Sequence, residues 1–252
     1  FFENLGAPLA THRDIRYAKT IVQIGGDPSE LQPLTGKQMR QAVRNGGATL
    51  VLINAVPIRL REQAKLFLHV RPGTEDAIVM ALADSSNDSV AAQKTGVEAS
   101  VIDAARQAIA NTQGDVVIMF GHEVSAAAQA VIAQFGQTFA GEGRRILLHP
   151  LPFFNNSVGA HAAGMMDAPV SLGQILAAAG FEIRALYMAG GFLPEQLKGR
   201  EASLSQLDFL VVQELFENET TAEADVVLPA ASYAEQDGTF TNNDGLVQRV
   251  RQ

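Results

Sequence analysis

The sequence of 252 residues contains no cysteine. Disulfide bonds, thiolate zinc sites, cysteine-ligated iron–sulfur clusters and a cysteine nucleophile are therefore excluded from this stretch of polypeptide. Any redox centre associated with it must use other ligands or lie elsewhere.

Basic residues are outnumbered: the chain has 19 lysines and arginines against 27 aspartates and glutamates, a formal net charge of −8. This balance gives no electrostatic attraction to a nucleic-acid backbone or to an anionic membrane surface. No apolar run reaches the roughly 18–20 residues of a membrane span, and the first residues lack the basic region of a signal peptide. We expect no nucleic-acid partner and no direct membrane insertion.

The chain also lacks an initiator methionine, and its last motif ends a few residues before Gln252. We therefore expect a segment of a longer polypeptide. Hydrophobic residues make up 47% of this segment and charged residues 18%, which is enough for a core in one large or two small α/β domains.

The first motif is a strand, a helix and a second strand. A buried strand at 21–24 runs into a Gly-Gly-Asp-Pro turn at 25–28. Helical periodicity covers 34–43 with a glycine cap at 46–47, and a second strand covers 48–54. The turn is not the G-x-G-x-x-G fingerprint, and Asn54 ends the second strand where a dinucleotide site needs an acidic residue. A nicotinamide site is not expected here.

The remainder continues the alternation of strands and helices. Strands are predicted at 115–121, 144–150, 183–189, 207–214 and 226–228, and helices at 97–112, 123–139, 171–179, 220–223 and after an N-cap at Thr74. The small, polar stretch 84–100 is interpreted as a surface connection. His122, His149 and His161 follow strands, but no second histidine or acidic residue lies at a metal-ligand spacing, so we interpret each as satisfied or solvent-facing.

The last strand resembles a buried parallel strand, and Pro229 stops it. A glycine-punctuated loop follows, in which Thr239, Thr241, Asn242 and Asn243 are placed to contact a polar ligand at a strand's carboxyl end. The alternative is ordinary turn chemistry, with these side chains closing local backbone hydrogen bonds. Spacing alone leaves both open.

Four motifs together resemble the molybdopterin oxidoreductase superfamily, and more narrowly the large peripheral-arm subunit of bacterial NADH-quinone oxidoreductase. They are the Gly-Gly-Asp-Pro turn at 25–28, the Arg-Pro-Gly-Thr-Glu motif at 71–75, the Asn-Asn-Ser-Val-Gly-Ala connection at 155–160, and the run from Ala-Asp-Val-Val-Leu-Pro at 224–229 to Gly-Thr-Phe-Thr-Asn at 238–242. The resemblance implies an α/β fold with Rossmann-like, mostly parallel sheets flanked by helices, in two similar halves at 1–95 and 96–252.

In cofactor-bearing members, the Gly-Gly turns and the acidic residue of the 71–75 motif lie at the pterin dinucleotide, and the acidic residue contacts guanine. The cofactor-binding positions implied by this resemblance, vestigial or functional, are Gly25, Gly26, Asp27, Asn54, Glu75, Gly121, Gly190, Gly191, Thr239, Thr241 and Asn242. Neither a catalytic residue nor a protein ligand to a metal is expected within the segment.

Two functions follow from the resemblance. As part of the large peripheral-arm subunit, the segment supports the electron-transfer arm of respiratory complex I and contacts the other peripheral subunits at the cytoplasmic side of the cell membrane. In this role it lacks its own cofactor, and the iron–sulfur clusters lie elsewhere in the parent chain. As part of a formate dehydrogenase-like catalytic subunit, it binds molybdopterin guanine dinucleotide. The complex I subunit is favoured because Asn54 is followed by Ala-Val-Pro instead of Asp-Pro-Arg, because Phe192 replaces a polar residue, and because insertions are shortened.

Overall fold

The computed structural model describes residues 8–165, 170–190 and 201–252. The chain forms two compact units: one comprises residues up to 157 together with 243–245, and the other comprises 158–242 and 246–252. The boundary predicted after residue 95 falls inside the first unit, because the strands that follow it extend the same sheet as the strands before it.

The first unit is an α/β sandwich around a five-stranded parallel sheet of order β3-β2-β1-β4-β5. Its strands are β1 (Thr20–Ile24), β2 (Thr49–Asn54), β3 (Leu66–His69), β4 (Val116–Phe120) and β5 (Ile146–Pro150). Its helices are α1 (His12–Tyr17), α2 (Pro28–Leu31), α3 (Pro33–Gly46), α4 (Glu75–Ala83), α5 (Asp88–Thr95), α6 (Ala99–Ala110), α7 (Ala126–Ala133) and α8 (Phe135–Thr138), with 3-10 turns at Arg59–Gln63 and Ser85–Asn87.

Alternate residues of β1, β2, β4 and β5 enter two hydrophobic cores, one on each face of the sheet. Val22 and Ile24 of β1 pack with residues of α4 to α8, whereas Ile21 packs with residues of α1 and α3. The central strands β1 and β4 are buried at every position, which explains why their sequences are mostly apolar and show little alternation.

The predicted surface connection at 84–100 was wrong, because it contains helix α5. The Asp84 side chain accepts a hydrogen bond from the Ser86 N–H at 2.9 Å and starts the turn that leads into the helix. Ala91 and Thr95 are buried against the core, and Gly96 ends the helix in a left-handed conformation. The small side chains that suggested a loop instead allow α5 to pack closely.

The second unit contains a three-stranded parallel sheet of order β6-β7-β8 and an antiparallel hairpin, β9-β10. Its elements are α9 (Ser157–Ala162, beginning at the last residue of the first unit), α10 (Leu172–Ala178), β6 (Ala185–Ala189), a 3-10 turn (Glu201–Gln206), β7 (Phe209–Glu214), α11 (Glu219–Ala222), β8 (Val226–Pro229), β9 (Gly238–Thr241) and β10 (Val247–Val250).

Two expectations for the last part of the sequence differ from the structure. Strand β8 is parallel as predicted, but it lies at an edge of its sheet and all four of its residues are exposed. The predicted loop after it contains the β9-β10 hairpin, whose turn includes Gly245 at φ 77°. Asn-Asp-Gly between two short alternating segments is a hairpin pattern.

The predicted fold class is confirmed: both larger sheets are parallel, and helices flank them. Within the part of the chain that the structure describes, no helix is both long enough and apolar enough to cross a membrane.

Candidate functional site

The carboxyl ends of the five parallel strands lie at one edge of the first sheet. Along this edge the chain proceeds outward from β1 to β3 in one direction and from β4 to β5 in the other. In open α/β sheets, ligands bind outside the strand ends at the point where the strand order reverses. We call the edge between β1 and β4 the switch point.

Three glycines, Gly25, Gly26 and Gly121, follow β1 and β4 at the switch point, and we call them the glycine cradle. Gly25 and Gly26 have φ values of 64° and 69°, a conformation that favours glycine. The Gly25 N–H donates to the Ile53 carbonyl and the Gly121 N–H to the Ile24 carbonyl, each at 2.9 Å. These two bonds continue the sheet into the cradle.

Two buried amides hold the carbonyl groups of this turn. The Gln23 side chain donates from Nε2 to the carbonyls of Gly25 and Gly26, and Asn54 donates from Nδ2 to the Gly26 carbonyl at 2.8 Å. Asn54 Oδ1 also accepts the Val56 N–H at 2.9 Å. Asn54 is thus engaged in shaping the cradle, and Gln23 is a contributor that was not predicted from the sequence.

Asp27 lies next to the cradle, but its carboxylate caps α2 by accepting the Ser29 N–H at 2.8 Å. Such a cap satisfies a backbone donor that the helix leaves unpaired. The structure therefore gives Asp27 a local role at the predicted site.

Glu75 is the first residue of α4, after β3 at the same sheet edge, and it is only 2% exposed. Its Oε2 atom is buried and has no hydrogen-bond partner among the described residues. The predicted N-cap Thr74 does not cap the helix with its side chain; its hydroxyl donates to the Arg71 carbonyl at 2.6 Å. A buried acceptor without a donor is unfavourable, and a ligand with N–H groups would satisfy it.

Glu123 occupies the cradle itself. Its Oε1 accepts the Gly26 N–H at 2.9 Å, and its Oε2 lies 3.7 Å from His122 Nδ1. The sequence indicates Glu123 only as the start of the helix predicted at 123–139, so this contact was not predicted. The chain order alone could not reveal it, because the contact depends on β4 lying beside β1.

The histidines differ in their surroundings. The side chain of His122 is 58% exposed and its ring packs edge-on against Phe153, with centroids 5.4 Å apart. His149 is buried, and its Nδ1–H donates to the Ala10 carbonyl at 2.9 Å. Burial is the main cause that lowers the His149 pKa to about 4, although the bond to Ala10 opposes it. His161 lies in α9.

A contact between His12, Asp244 and Thr35 was not predicted. His12 Nδ1 lies 2.8 Å from Asp244 Oδ2, and its Nε2 lies 3.1 Å from the Thr35 hydroxyl. Asn243, the preceding residue, donates to the Pro150 carbonyl at 3.2 Å. Thr35 is buried, so we interpret the arrangement as an anchor for residues 243–245.

The remaining predicted positions belong to the second unit. Gly190 follows β6 with φ 83°, and its N–H donates to the Gln213 carbonyl at 2.9 Å. Thr239 and Thr241 lie in β9, and Asn242 Oδ1 accepts the Leu246 N–H at 2.9 Å across the hairpin turn. For Asn242 this is the backbone-closing chemistry that the spacing had left open.

Gly191 and Phe192 lie outside the described residues. A cofactor crevice involving both Gly-Gly turns stays a prediction. Among the described residues, no group of three or more histidines, aspartates and glutamates is arranged to hold a metal ion.

A family model described as molybdopterin oxidoreductase matches residues 4–252. The F420-dependent formate dehydrogenase subunit alpha of Methanocaldococcus jannaschii is 25% identical over 311 aligned residues, which cover 98% of this chain and 46% of that protein. A G-type subunit of the NADH-quinone oxidoreductase of Rhizobium meliloti is 28% identical over 281, covering 92% of this chain and 33% of that protein. The chain therefore spans less than half the length of these two relatives.

Two solved structures share the fold. Acetylene hydratase from Pelobacter acetylenicus superposes with a TM-score of 0.64 at 16% identity, over 97% of this chain and 45% of that chain. A chain of the formyltransferase/hydrolase complex from Methylorubrum extorquens gives a TM-score of 0.68 at 14% identity, over 99% of this chain and 73% of that chain. At these identities the likeness shows the fold alone.

Proposed function

Since the chain belongs to the molybdopterin oxidoreductase family, we propose that it is part of a pterin-dependent oxidoreductase subunit of the formate dehydrogenase type. In this role its five-stranded sheet binds one nucleotide arm of the cofactor along the carboxyl edge. The cofactor supplies the redox chemistry when it is bound, and the polypeptide binds and orients it.

The observation that carries this proposal is the buried Glu75 Oε2 atom, which has no hydrogen-bond partner among the described residues. Guanine presents adjacent N–H groups, which suit a carboxylate acceptor. The glycine cradle lies at the same edge, and the absence of Cβ atoms at Gly25 and Gly121 leaves a space there that holds an anionic group, the Glu123 carboxylate. A buried acceptor and a side-chain-free turn at a switch point together fit a guanine nucleotide.

The test is isothermal titration calorimetry of the chain with GMP. We expect saturable binding, and we expect Glu75→Gln to weaken it about 10- to 100-fold, because a hydrogen bond to a charged group contributes about 1.5–3 kcal/mol. Glu62→Gln is the matched control, since Glu62 is exposed and lies outside the site. Equally strong GMP binding by both variants would show that Glu75 does not contact the nucleotide. Absence of GMP binding would contradict the proposal.

A second candidate is the large peripheral-arm subunit of NADH-quinone oxidoreductase. There the segment would support the electron-transfer arm of respiratory complex I without a cofactor of its own, in contact with other peripheral subunits at the cytoplasmic side of the membrane. Two observations favour it: Glu123 fills the glycine cradle, and the similarity to the Rhizobium meliloti protein covers 92% of the chain. Absence of GMP binding in the calorimetric experiment would favour this candidate.

A further inference from the structure

The Glu123 carboxylate lies in the space that Cβ atoms on Gly25 and Gly121 would otherwise occupy. A Cβ atom added to Gly25 would lie 2.6 Å from Glu123 Oε2, and one added to Gly121 would lie closer still. The same Gly121 Cβ would lie 3.1 Å from the Gly26 nitrogen. Gly25 and Gly121 thus leave a space that the carboxylate fills, and Gly26 contributes its N–H.

The turn is built to present one N–H to that space. The N–H groups of Gly25 and Gly121 are used in the sheet, and the carbonyls of Gly25 and Gly26 are held by Gln23 and Asn54. The Gly26 N–H points to the carboxylate instead. Backbone N–H groups that point into a concavity attract anions; here one N–H does so, and the anion that it holds is a side chain of the chain itself.

The carboxylate is not sealed in place. The Glu123 side chain is 31% exposed, and it accepts a hydrogen bond from the cradle at the Gly26 N–H. The exposed His122 ring lies beside it, and exposed Phe153 and Phe154 continue the same rim. A displaced carboxylate can therefore turn toward solvent or toward the exposed His122 ring.

We propose that Glu123 is an internal competitor for a phosphate-type anion: its carboxylate holds the glycine cradle in the ligand-free chain, and a phosphate or pyrophosphate group binds there by displacing it. The identity of the natural ligand, a nucleotide pyrophosphate, rests on the proposed function. The anion site and its occupation by Glu123 do not.

Calorimetric titration with inorganic pyrophosphate tests this. We expect Glu123→Ala to bind pyrophosphate at least about tenfold more tightly than the unmodified chain, since both the competing acceptor and its repulsive charge are removed. Glu123→Gln, which keeps the side chain's size and an acceptor oxygen but loses the charge, should fall between them. It also serves if Glu123→Ala does not fold.

Glu142→Ala is the control, because it removes the same charge from an exposed turn outside the cradle. An equal gain in Glu142→Ala and Glu123→Ala would indicate a general charge effect and overturn the proposal. So would equal affinity in Glu123→Ala and the unmodified chain, or absence of pyrophosphate binding in both Glu123 variants. Pyrophosphate binding by Glu123→Ala without GMP binding by any variant would leave the anion site standing and remove the guanine-nucleotide function.

Discussion

Replacing Asn54 with alanine tests how the glycine cradle is held. The substitution removes the Nδ2 bond to the Gly26 carbonyl and leaves the Val56 N–H without the Oδ1 acceptor. Gly26 keeps its second bond, from Gln23 at 2.9 Å. Two lost hydrogen bonds of about 1 kcal/mol each give an expected destabilisation of about 2 kcal/mol. At about 2–4 °C per kcal/mol, the melting temperature should fall by about 4–8 °C.

Urea unfolding followed by far-UV circular dichroism measures this change. Asn45→Ala is the matched control, because Asn45 is exposed near the end of α3, and it should stay within about 0.5 kcal/mol of the unmodified chain. Asn54→Asp keeps an acceptor for Val56 but replaces the donor to Gly26, so it should also destabilise. An Asn54→Ala chain as stable as the control, or a fully stable Asn54→Asp chain, would refute the account of the cradle.

Two further predictions concern stability. The pKa of His149 in the folded chain is about 4, against an ordinary value of 6.5, so the free energy of unfolding should fall by about 3 kcal/mol as pH drops from 6.5 to 4. Urea titrations across this pH range should show a smaller fall for His149→Gln. An equal fall in the variant and the unmodified chain would contradict the assignment. Arg106→Met should cost about 3 kcal/mol, since it leaves the part-buried Asp88 unpaired. Arg59→Met, whose ion pair is largely exposed, should change thermal unfolding by under about 1 kcal/mol, and equal losses would refute the distinction.

Local sequence chemistry predicts much of the first sheet. Mostly apolar runs that stop at Gly25 and Gly121 mark buried strands and their ends, and the structure places these glycines at strand carboxyl ends. The same signal placed Asn54 at the end of a strand, whereas Glu75 was assigned through the resemblance of the 71–75 motif, since the strand before it was not predicted. The end residues of parallel strands lie at one sheet edge, so the position of Asn54 follows from its strand.

The missed features depend on strand order and on layers, which local patterns do not encode. Glu123 reaches Gly26 only because β4 pairs with β1, across an intervening stretch of more than 90 residues. Val226 to Leu228 were predicted to be buried because they are apolar, but an edge position leaves them exposed. Helix α5 has only eight residues and few large apolar side chains, so its periodicity is weak.

The histidine–aspartate contact that anchors residues 243–245 has a consequence for the order of folding. His12 and Asp244 are separated by 232 residues, yet both belong to the first unit. Closing so long a loop is slow compared with forming local contacts. During synthesis the five-stranded sheet can assemble as soon as β5 emerges from the ribosome. The contact between His12 and Asp244 can form only after the strands of the second unit's parallel sheet have also emerged. The first unit is thus begun early and completed late.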